Sequence, residues 1–187
     1  MRFVVLYLSI VAALSAGCTS RQQSGEGIAA PDTAPSPKQE SIGVELYESE
    51  AGLVRYRIIA AYMATYESGD STYVLLSRRV TADPPVVAEL YENGQKTATI
   101  EASEMRFFEK DRRFEARGAV IVETSTGRRL ETEFLIWREA DKRVVAPGFV
   151  RIKSPTEDMQ GYGFDSDEQL ESFSLQRVTG RYYLEEE

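Results

Sequence analysis

Residues 113–123 read RFEARGAVIVE, and this stretch decides the fold class. Its small and apolar residues recur with a period of two, which is the period of a β-strand, whereas a helix would space them three and four apart. Five of them share one face: Phe114, Ala116, Gly118, Val120 and Val122. Charged residues dominate the other face. The stretch therefore predicts an antiparallel strand with one buried face.

A return strand follows directly. Residues 125–127 read STG, which favours a tight turn, and residues 128–138 then run back with a second alternating pattern. The predicted inward residues of this strand are Leu130, Thr132, Phe134 and Ile136. The two strands together predict a β-hairpin.

The chain repeats this pattern after 30 positions. Residues 111–122 (DRRFEARGAVIV) align with residues 141–152 (DKRVVAPGFVRI), and Phe107 aligns with Trp137. Each copy carries a glycine in mid-strand, which weakens pairing unless the position needs a bulge, a bend or a close approach. Repeated hairpins bent at matching points predict one elongated, curved body. The pattern leaves open whether the glycines only bend a sandwich or also serve a ligand.

The rest of the domain gives further strand signals. Residues 53–62, 72–76, 86–91 and 97–102 are rich in β-branched and aromatic side chains and are separated by turn residues. Only residues 58–66 are ambiguous between strand and helix. We predict an all-β fold with a single domain over residues 44–187.

The N-terminal region predicts where the protein is located in the cell. Residues 1–17 have the layout of a signal peptide, with one charge followed by an apolar run that is too short to span a membrane. Cys18, the only cysteine, follows small residues as in a bacterial lipobox and is predicted to be acylated. Ordinary secretory cleavage, which would leave a free thiol, is the alternative. Residues 18–43, rich in Pro, Ser and Gln, predict a disordered, flexible tether.

Charge and composition exclude several functions. The chain has a net charge of −8 and a pI near 4.8, which disfavours nucleic acid as a partner. It has no histidine, the commonest general base and metal ligand. Two carboxylate pairs, Glu131 with Glu133 and Asp165 with Asp167, have the residue types of a glycosidase, but they fall on a solvated strand face and in a turn. We predict no catalysis, no metal site and no cofactor.

Four segments carry a family resemblance: LVRYRIIA (53–60), ARGAV (116–120), LETEFLIW (130–137) and MQGYGFD (159–165). Their order across nearly the whole domain resembles the LptC family, periplasmic components of lipopolysaccharide export. The resemblance implies a partly open antiparallel β-jellyroll that accepts lipopolysaccharide acyl chains. It also implies docking by strand addition on an inner-membrane ABC transporter at one end and on a downstream LptA-like jellyroll at the other. Better-known members keep an uncleaved N-terminal helix where this chain has a lipoprotein-type start.

The resemblance also implies a location and candidate residues. The expected location is the periplasmic face of the envelope, lipid-anchored, most simply at the inner membrane. The expected lipid-binding residues are Phe107, Phe114, Val120, Val122, Leu130, Phe134, Ile136, Val144, Val150 and Ile152. The expected partner-binding edges contain Gly52, Leu53, Tyr56, Ile58, Val178, Tyr182 and Leu184. Two alternatives remain open: a structural adaptor with a closed sandwich and no lipid ligand, and an envelope glycan hydrolase.

Overall fold

The computed structural model describes residues 36–68 and 71–183, and these form strands and turns with no helix among them. The strands are β1 (Gln39–Glu50), β2 (Leu53–Ser68), β3 (Ser71–Ser77), β4 (Val86–Glu92), β5 (Gln95–Ala102), β6 (Glu104–Phe108), β7 (Arg113–Thr124), β8 (Arg129–Arg138), β9 (Arg143–Ser154), β10 (Glu157–Asp167) and β11 (Phe173–Tyr182). The predicted all-β class is confirmed, and the ambiguous stretch 58–66 is strand.

The predicted domain boundary differs from the observed one. The predicted signal peptide, Cys18 and most of the predicted tether lie outside the described residues. β1 begins at Gln39, so residues 39–43, which were assigned to the tether, are strand. Their polar composition resembles a linker, but pairing with β2 supplies the hydrogen bonds that the composition does not reveal.

Neighbouring strands are antiparallel throughout. β2 pairs with β4 through residues 56–59 and with β3 through residues 62–68, so β3 and β4 lie end to end beside it. β7 likewise pairs with β6 through residues 113–117 and with β5 through residues 121–124. Only the part from β7 to β11 is a simple meander, since β2 pairs with β4, β3 with β6 and β5 with β7 across intervening strands. Among the described residues, the first and last strands, β1 and β11, each have one neighbour.

These pairings divide the sheet into two parts, which we call layers. Layer I contains β3, β6 and the segments of β2 and β7–β11 that lie in register with them; layer II contains β4, β5 and the segments of the same long strands that lie in register with these. Along the bend between the layers, the ladders of several strand pairs skip residues. The backbone has positive φ at several of these points: Gly118, Ala119, Gly163 and Arg177. This open, jellyroll-like arrangement agrees with the predicted fold class.

Gly118 shows why a glycine stands in mid-strand. Its φ is 76°, a region that side chains disfavour, and an added Cβ would lie 3.0 Å from the Ser103 side chain. The Ser103 N–H donates to the Gly118 carbonyl at 2.9 Å, which joins the β5–β6 corner to β7. The predicted bend in the strand is therefore present at Gly118.

The hydrophobic core lies between the layers. Buried side chains from layer II, such as Val86 and Leu130 (both 0% exposed), form one cluster with buried side chains of layer I, such as Phe164 (0% exposed). The Tyr56 ring of layer II meets the Phe114 ring of layer I edge to face at 6.1 Å. Since β2 and β7 are not paired, this contact crosses from one layer to the other.

The bend changes which face of β8 is buried. Leu130 and Thr132 point inward as predicted, but Leu135, 2% exposed, takes the next inward position. The prediction that Phe134 and Ile136 share this face is wrong, because the alternation restarts beyond Glu133, at the bend. Ile136 lies opposite Glu115, and the Arg117 guanidinium sits over the Phe134 ring, 4.1 Å from its centroid.

Candidate functional site

Most of the predicted lipid-binding residues form the packed core. Six of the ten candidates are between 0% and 7% exposed and belong to one cluster: Val120, Val122, Leu130, Val144, Val150 and Ile152. The structure therefore fills this part of the predicted groove with protein side chains.

Phe107 and Phe114 lie at the margin of that core, where side chains are only partly buried. The two ring centroids are 4.6 Å apart, and the Trp137 centroid lies 5.7 Å from that of Phe114. With Tyr56 from layer II they form a cluster of four rings, which we call the aromatic margin. The repeat already aligned Phe107 with Trp137, so Trp137 could have been included from the sequence.

Polar groups surround the aromatic margin. The Trp137 indole N–H donates to the Glu168 carboxylate at 2.9 Å. Arg112 donates to both carboxylate oxygens of Glu139, from Nε at 2.5 Å, which ties the β6–β7 turn to the β8–β9 turn. These hydrogen bonds raise the pKa of Arg112, and the ion pair lies at the exposed rim of the margin.

Tyr56 keeps its proton at this margin. Burial raises the pKa of its hydroxyl, and a hydrogen bond with Glu48 raises it further. A second contact joins the layers nearer the C-terminal strand, where the Arg128 guanidinium lies 5.7 Å from the Phe173 ring centroid. The layers therefore meet through aromatic rings with polar partners.

The predicted N-terminal edge is not an edge. Tyr56 and Ile58 lie on β2, which has β1 on one side and β4 on the other. Ile58 is 3% exposed and belongs to the core, Leu53 is 50% exposed, and Gly52 forms the β1–β2 turn with φ of 81°. The prediction is corrected because β1, hidden in a polar stretch, covers β2. Among the described strands, the one at this edge is β1.

The predicted C-terminal edge does lie on an edge strand. Within residues 36–68 and 71–183, β11 pairs only with β10, and its residues from Gln176 to Tyr182 are exposed. Val178 is 48% exposed and Tyr182 is 66% exposed. The Tyr182 hydroxyl reaches the Met159 sulfur at 3.0 Å, so Tyr182 extends the inner face of layer II. Leu184 lies outside the described residues.

Two glycines hold β11 close to β10. A Cβ at Gly161 would lie 2.6 Å from the Gln176 carbonyl oxygen, and one at Gly180 would lie 2.7 Å from the Met159 side chain. Phe173 packs on Phe164 with ring centroids 5.4 Å apart. The edge strand is thus firmly attached on one side while its other side has no partner among the described residues.

The two carboxylate pairs that have the residue types of a glycosidase have structural partners. Asp165 accepts from Arg143 Nε at 2.7 Å, and Asp167 accepts two backbone N–H groups of the β10–β11 turn. Glu131 accepts from Arg129 at 2.8 Å, and Glu133 accepts from the Ala119 N–H at 3.4 Å.

Within residues 36–68 and 71–183, no group of three or more metal-ligating side chains comes together. The same residues include no helix with the length and apolar character needed to cross a membrane.

One comparison with known proteins gives a match. The family model described as "Lipopolysaccharide-assembly, LptC-related" matches residues 7–183, which is nearly the whole chain. A search of curated proteins gives no match.

Proposed function

The chain belongs to the LptC-related family of lipopolysaccharide assembly, and we propose that it relays lipopolysaccharide from an inner-membrane ABC transporter to a downstream LptA-like jellyroll. Members of this family are components of lipopolysaccharide transport at the periplasmic side of the inner membrane. In the proposal, the transporter supplies the energy, and this domain supplies an apolar path and two docking edges.

One observation carries the proposal: the inner apolar face of layer II continues onto an edge strand that nothing covers among the described residues. Ile152 on β9 and Met159 on β10 are 1% and 4% exposed, whereas Val178 and Tyr182 on β11 are about half exposed or more. A second jellyroll added at β11 would extend this face and would bury both residues. Strand addition supplies main-chain hydrogen bonds, and the apolar pockets supply specificity.

The aromatic margin is the proposed entry for acyl chains. Phe107 and Phe114 are the candidate groove residues that are partly accessible on the inner face, and Tyr56 contacts Phe114 from the opposite layer. Separating the Tyr56 ring from the Phe114 ring would expose the buried apolar side chains of the core to a lipid. The bend supports such a movement, because the β7–β8 and β8–β9 ladders are already interrupted there.

A second function has a specific observation in its favour. Because Leu130 and Val150 are fully buried, the interior is filled without a ligand. A closed structural adaptor would have such an interior, and it would dock through the same edges without carrying lipid. The two functions therefore differ in whether the inner face ever contacts lipopolysaccharide.

Photo-crosslinking separates these two functions. p-Benzoylphenylalanine replaces Phe107 or Phe114 on the inner face, and matched controls carry it at Phe134 or Ile136 on the outer face. In cells that export lipopolysaccharide, we expect lipopolysaccharide adducts from the inner positions and few from the outer ones. Equal labelling of both faces, or none from the inner face, would contradict the relay and favour the adaptor.

The anchor is part of the proposal. Residues 1–17 would be removed, Cys18 would be acylated, and the following tether would hold the domain at the periplasmic face of the inner membrane. We expect the mass of the mature N-terminal peptide to include a diacylglyceryl group on Cys18, and Cys18→Ser to release the domain from membranes. An unmodified Cys18 in the mature protein would remove the lipid anchor from the proposal.

A further inference from the structure

The arginines of β11 differ from all other strand arginines among the described residues. Every arginine on β2, β6, β7, β8 and β9 has a carboxylate within salt-bridge distance. Arg177 and Arg181 on β11 are exposed and have no such carboxylate in residues 36–68 and 71–183. An edge strand in an acidic protein thus presents two positive charges without a partner in the described part of the chain.

The adjacent strands show how this fold balances a basic strand. β9 carries arginines and a lysine but no carboxylate, and β10 carries carboxylates but no basic residue. Arg143 of β9 pairs with Asp165 of β10, and Arg151 pairs with Asp158 at 2.8 Å. Asp165 and Asp158 of β10 are therefore already paired with the arginines of β9. β11 is basic again, and no strand follows it in the described chain.

The strand register on the outer face of layer II also leaves a positive charge at the edge. One row of directly opposed residues crosses the layer and ends at the free edge: Glu89, Thr99, Glu123, Arg129, Lys153, Asp158 and Arg181. Opposite charges at directly opposed positions stabilise a sheet, and like charges destabilise it. The strand that adds beyond Arg181 is favoured if it places a carboxylate there.

The backbone at Arg177 also directs its side chain differently from those of its strand neighbours. Its φ is 52°, and it lies where the β10–β11 register shifts, so β11 has a bulge at this point. Bulges at sheet edges redirect side chains. Arg177 and Arg181 thus mark two separate positions along one free edge, one at the bend and one in layer II.

We propose that the β11 edge selects an acidic partner strand, one whose carboxylates lie opposite Arg177 and Arg181. This inference rests on the proposed docking function and names the chemistry of its downstream partner. The strand at the other end of the molecule is rich in carboxylates: β1 carries Glu40, Glu45, Glu48 and Glu50 and no basic residue, and within the folded chain Glu45 and Glu50 pair with Arg57 and Arg55 of β2. A downstream jellyroll with a similarly acidic first strand would add in one order only, because two β11 edges would repel each other.

The test uses two peptides and the full chain. One peptide copies residues 39–50, and the other is identical except that its four glutamates are glutamines. We expect the acidic peptide to bind roughly threefold to tenfold more tightly at low ionic strength, as one or two opposed charge pairs predict. The preference should shrink in about 0.5 M salt, where exposed charges are screened.

Variants assign the preference to β11. The double variant Arg177→Gln with Arg181→Gln should bind both peptides equally, and the corresponding double lysine variant should keep most of the preference. Arg79→Gln is the matched control, since Arg79 is an exposed arginine in the β3–β4 loop. A chain in which Glu185, Glu186 and Glu187 are replaced by glutamine should keep the preference, because the carboxylates come from the partner.

Several results would overturn the inference. They are equal binding of the two peptides by the natural chain, no binding of either at millimolar concentration, a preference that survives in the double glutamine variant, or a loss with Arg79→Gln. None of these depends on lipid. If lipopolysaccharide crosslinks to the probe at position 107 while the two peptides bind equally, the proposed relay stands. The proposed preference of β11 for an acidic strand then fails.

Discussion

The central hairpins β7–β10 and the terminal strand β11 have similar sequence patterns but opposite surroundings. In the hairpins, inward residues such as Leu130 and Ile152 are nearly inaccessible, and each arginine is paired. On β11, the corresponding apolar residues Val178 and Tyr182 are exposed. The number of neighbouring strands, and not the local pattern, decides whether such residues form core or a docking surface.

The largest expected difference concerns side-chain removal. Phe164→Ala deletes a ring that is 0% exposed and should lower the free energy of unfolding by about 3–5 kcal/mol. Tyr182→Ala on β11 is the matched control and should change it by no more than about 0.5 kcal/mol. Urea unfolding measures both. Similar losses of stability in the two variants would mean that Tyr182 is buried in solution. The contrast between the central hairpins and β11 would then be wrong.

A smaller difference is expected at the bend. Gly118→Ala places a Cβ 3.0 Å from Ser103 at positive φ and should cost about 1–3 kcal/mol. Gly43→Ala on the terminal strand β1 has positive φ but nothing within 4 Å, so it should cost about 1 kcal/mol. Thermal unfolding of both, with Gly118→Ala combined with Ser103→Gly, tests this ranking. Failure of Ser103→Gly to recover stability would show that crowding is not the cause.

The aromatic margin is expected to respond less than the bend. Trp137→Phe removes the indole N–H that donates to Glu168 and should lower the free energy of unfolding by about 1 kcal/mol. Glu168→Gln keeps an acceptor at the same place and should cost less. Chemical unfolding measures the free energy of unfolding of both variants. An equal loss of stability in both would show that the charge on Glu168 accounts for the loss.

The smallest effect concerns one carboxylate between the two regions. The Arg151 hydrogen bonds hold the pKa of Asp158 below its usual value, and Arg181 of β11 contributes only at longer range. Arg151→Ala should therefore raise the pKa of Asp158 clearly, and Arg181→Ala should raise it little, as carbon-detected NMR titration of the side chain would show. A larger rise with Arg181→Ala would mean that β11 already shares this carboxylate.

The same pair gives a direction for stability against pH. Because the folded-state pKa of Asp158 is depressed, its contribution is present above the unfolded pKa, near 3.9, and is lost as pH falls through the folded value. The natural chain should exceed Arg151→Ala in stability at pH 7, and the difference should disappear in strong acid. A difference that persists there would point to lost packing of the Arg151 side chain.

Much of the fold could be predicted from sequence because strand alternation is local. The inward residues of β7, the hairpin to β8 and the bend at Gly118 follow from residues within about ten positions of each other. Phe134 and Ile136 were misplaced because the pattern restarts at the bend, and no local signal marks Glu133 as the corner. Residues 39–43 of β1 were assigned to the tether because their composition is mostly polar, and their pairing with β2 is not visible locally.

The candidate site depended more on long-range pairing. Phe107, Phe114 and Trp137 were visible as aligned aromatic residues, but their contact with Tyr56 exists only because two unpaired strands face each other across the layers. Ile58 was expected at an edge and lies in the core, since β1 covers β2. Periodicity indicates which face is apolar, but it does not indicate what covers that face.

By itself, the sequence determined the all-β class, the repeated hairpins and the apolar faces, because backbone geometry fixes a strand's period at two residues wherever the strand lies. Only the tertiary structure decided that β1 and β11 are the free edges, that the inner face is filled near Leu130 and exposed at Tyr182, and that Arg177 and Arg181 lack partners in the described chain. These features depend on pairings between distant segments, which a local pattern does not specify.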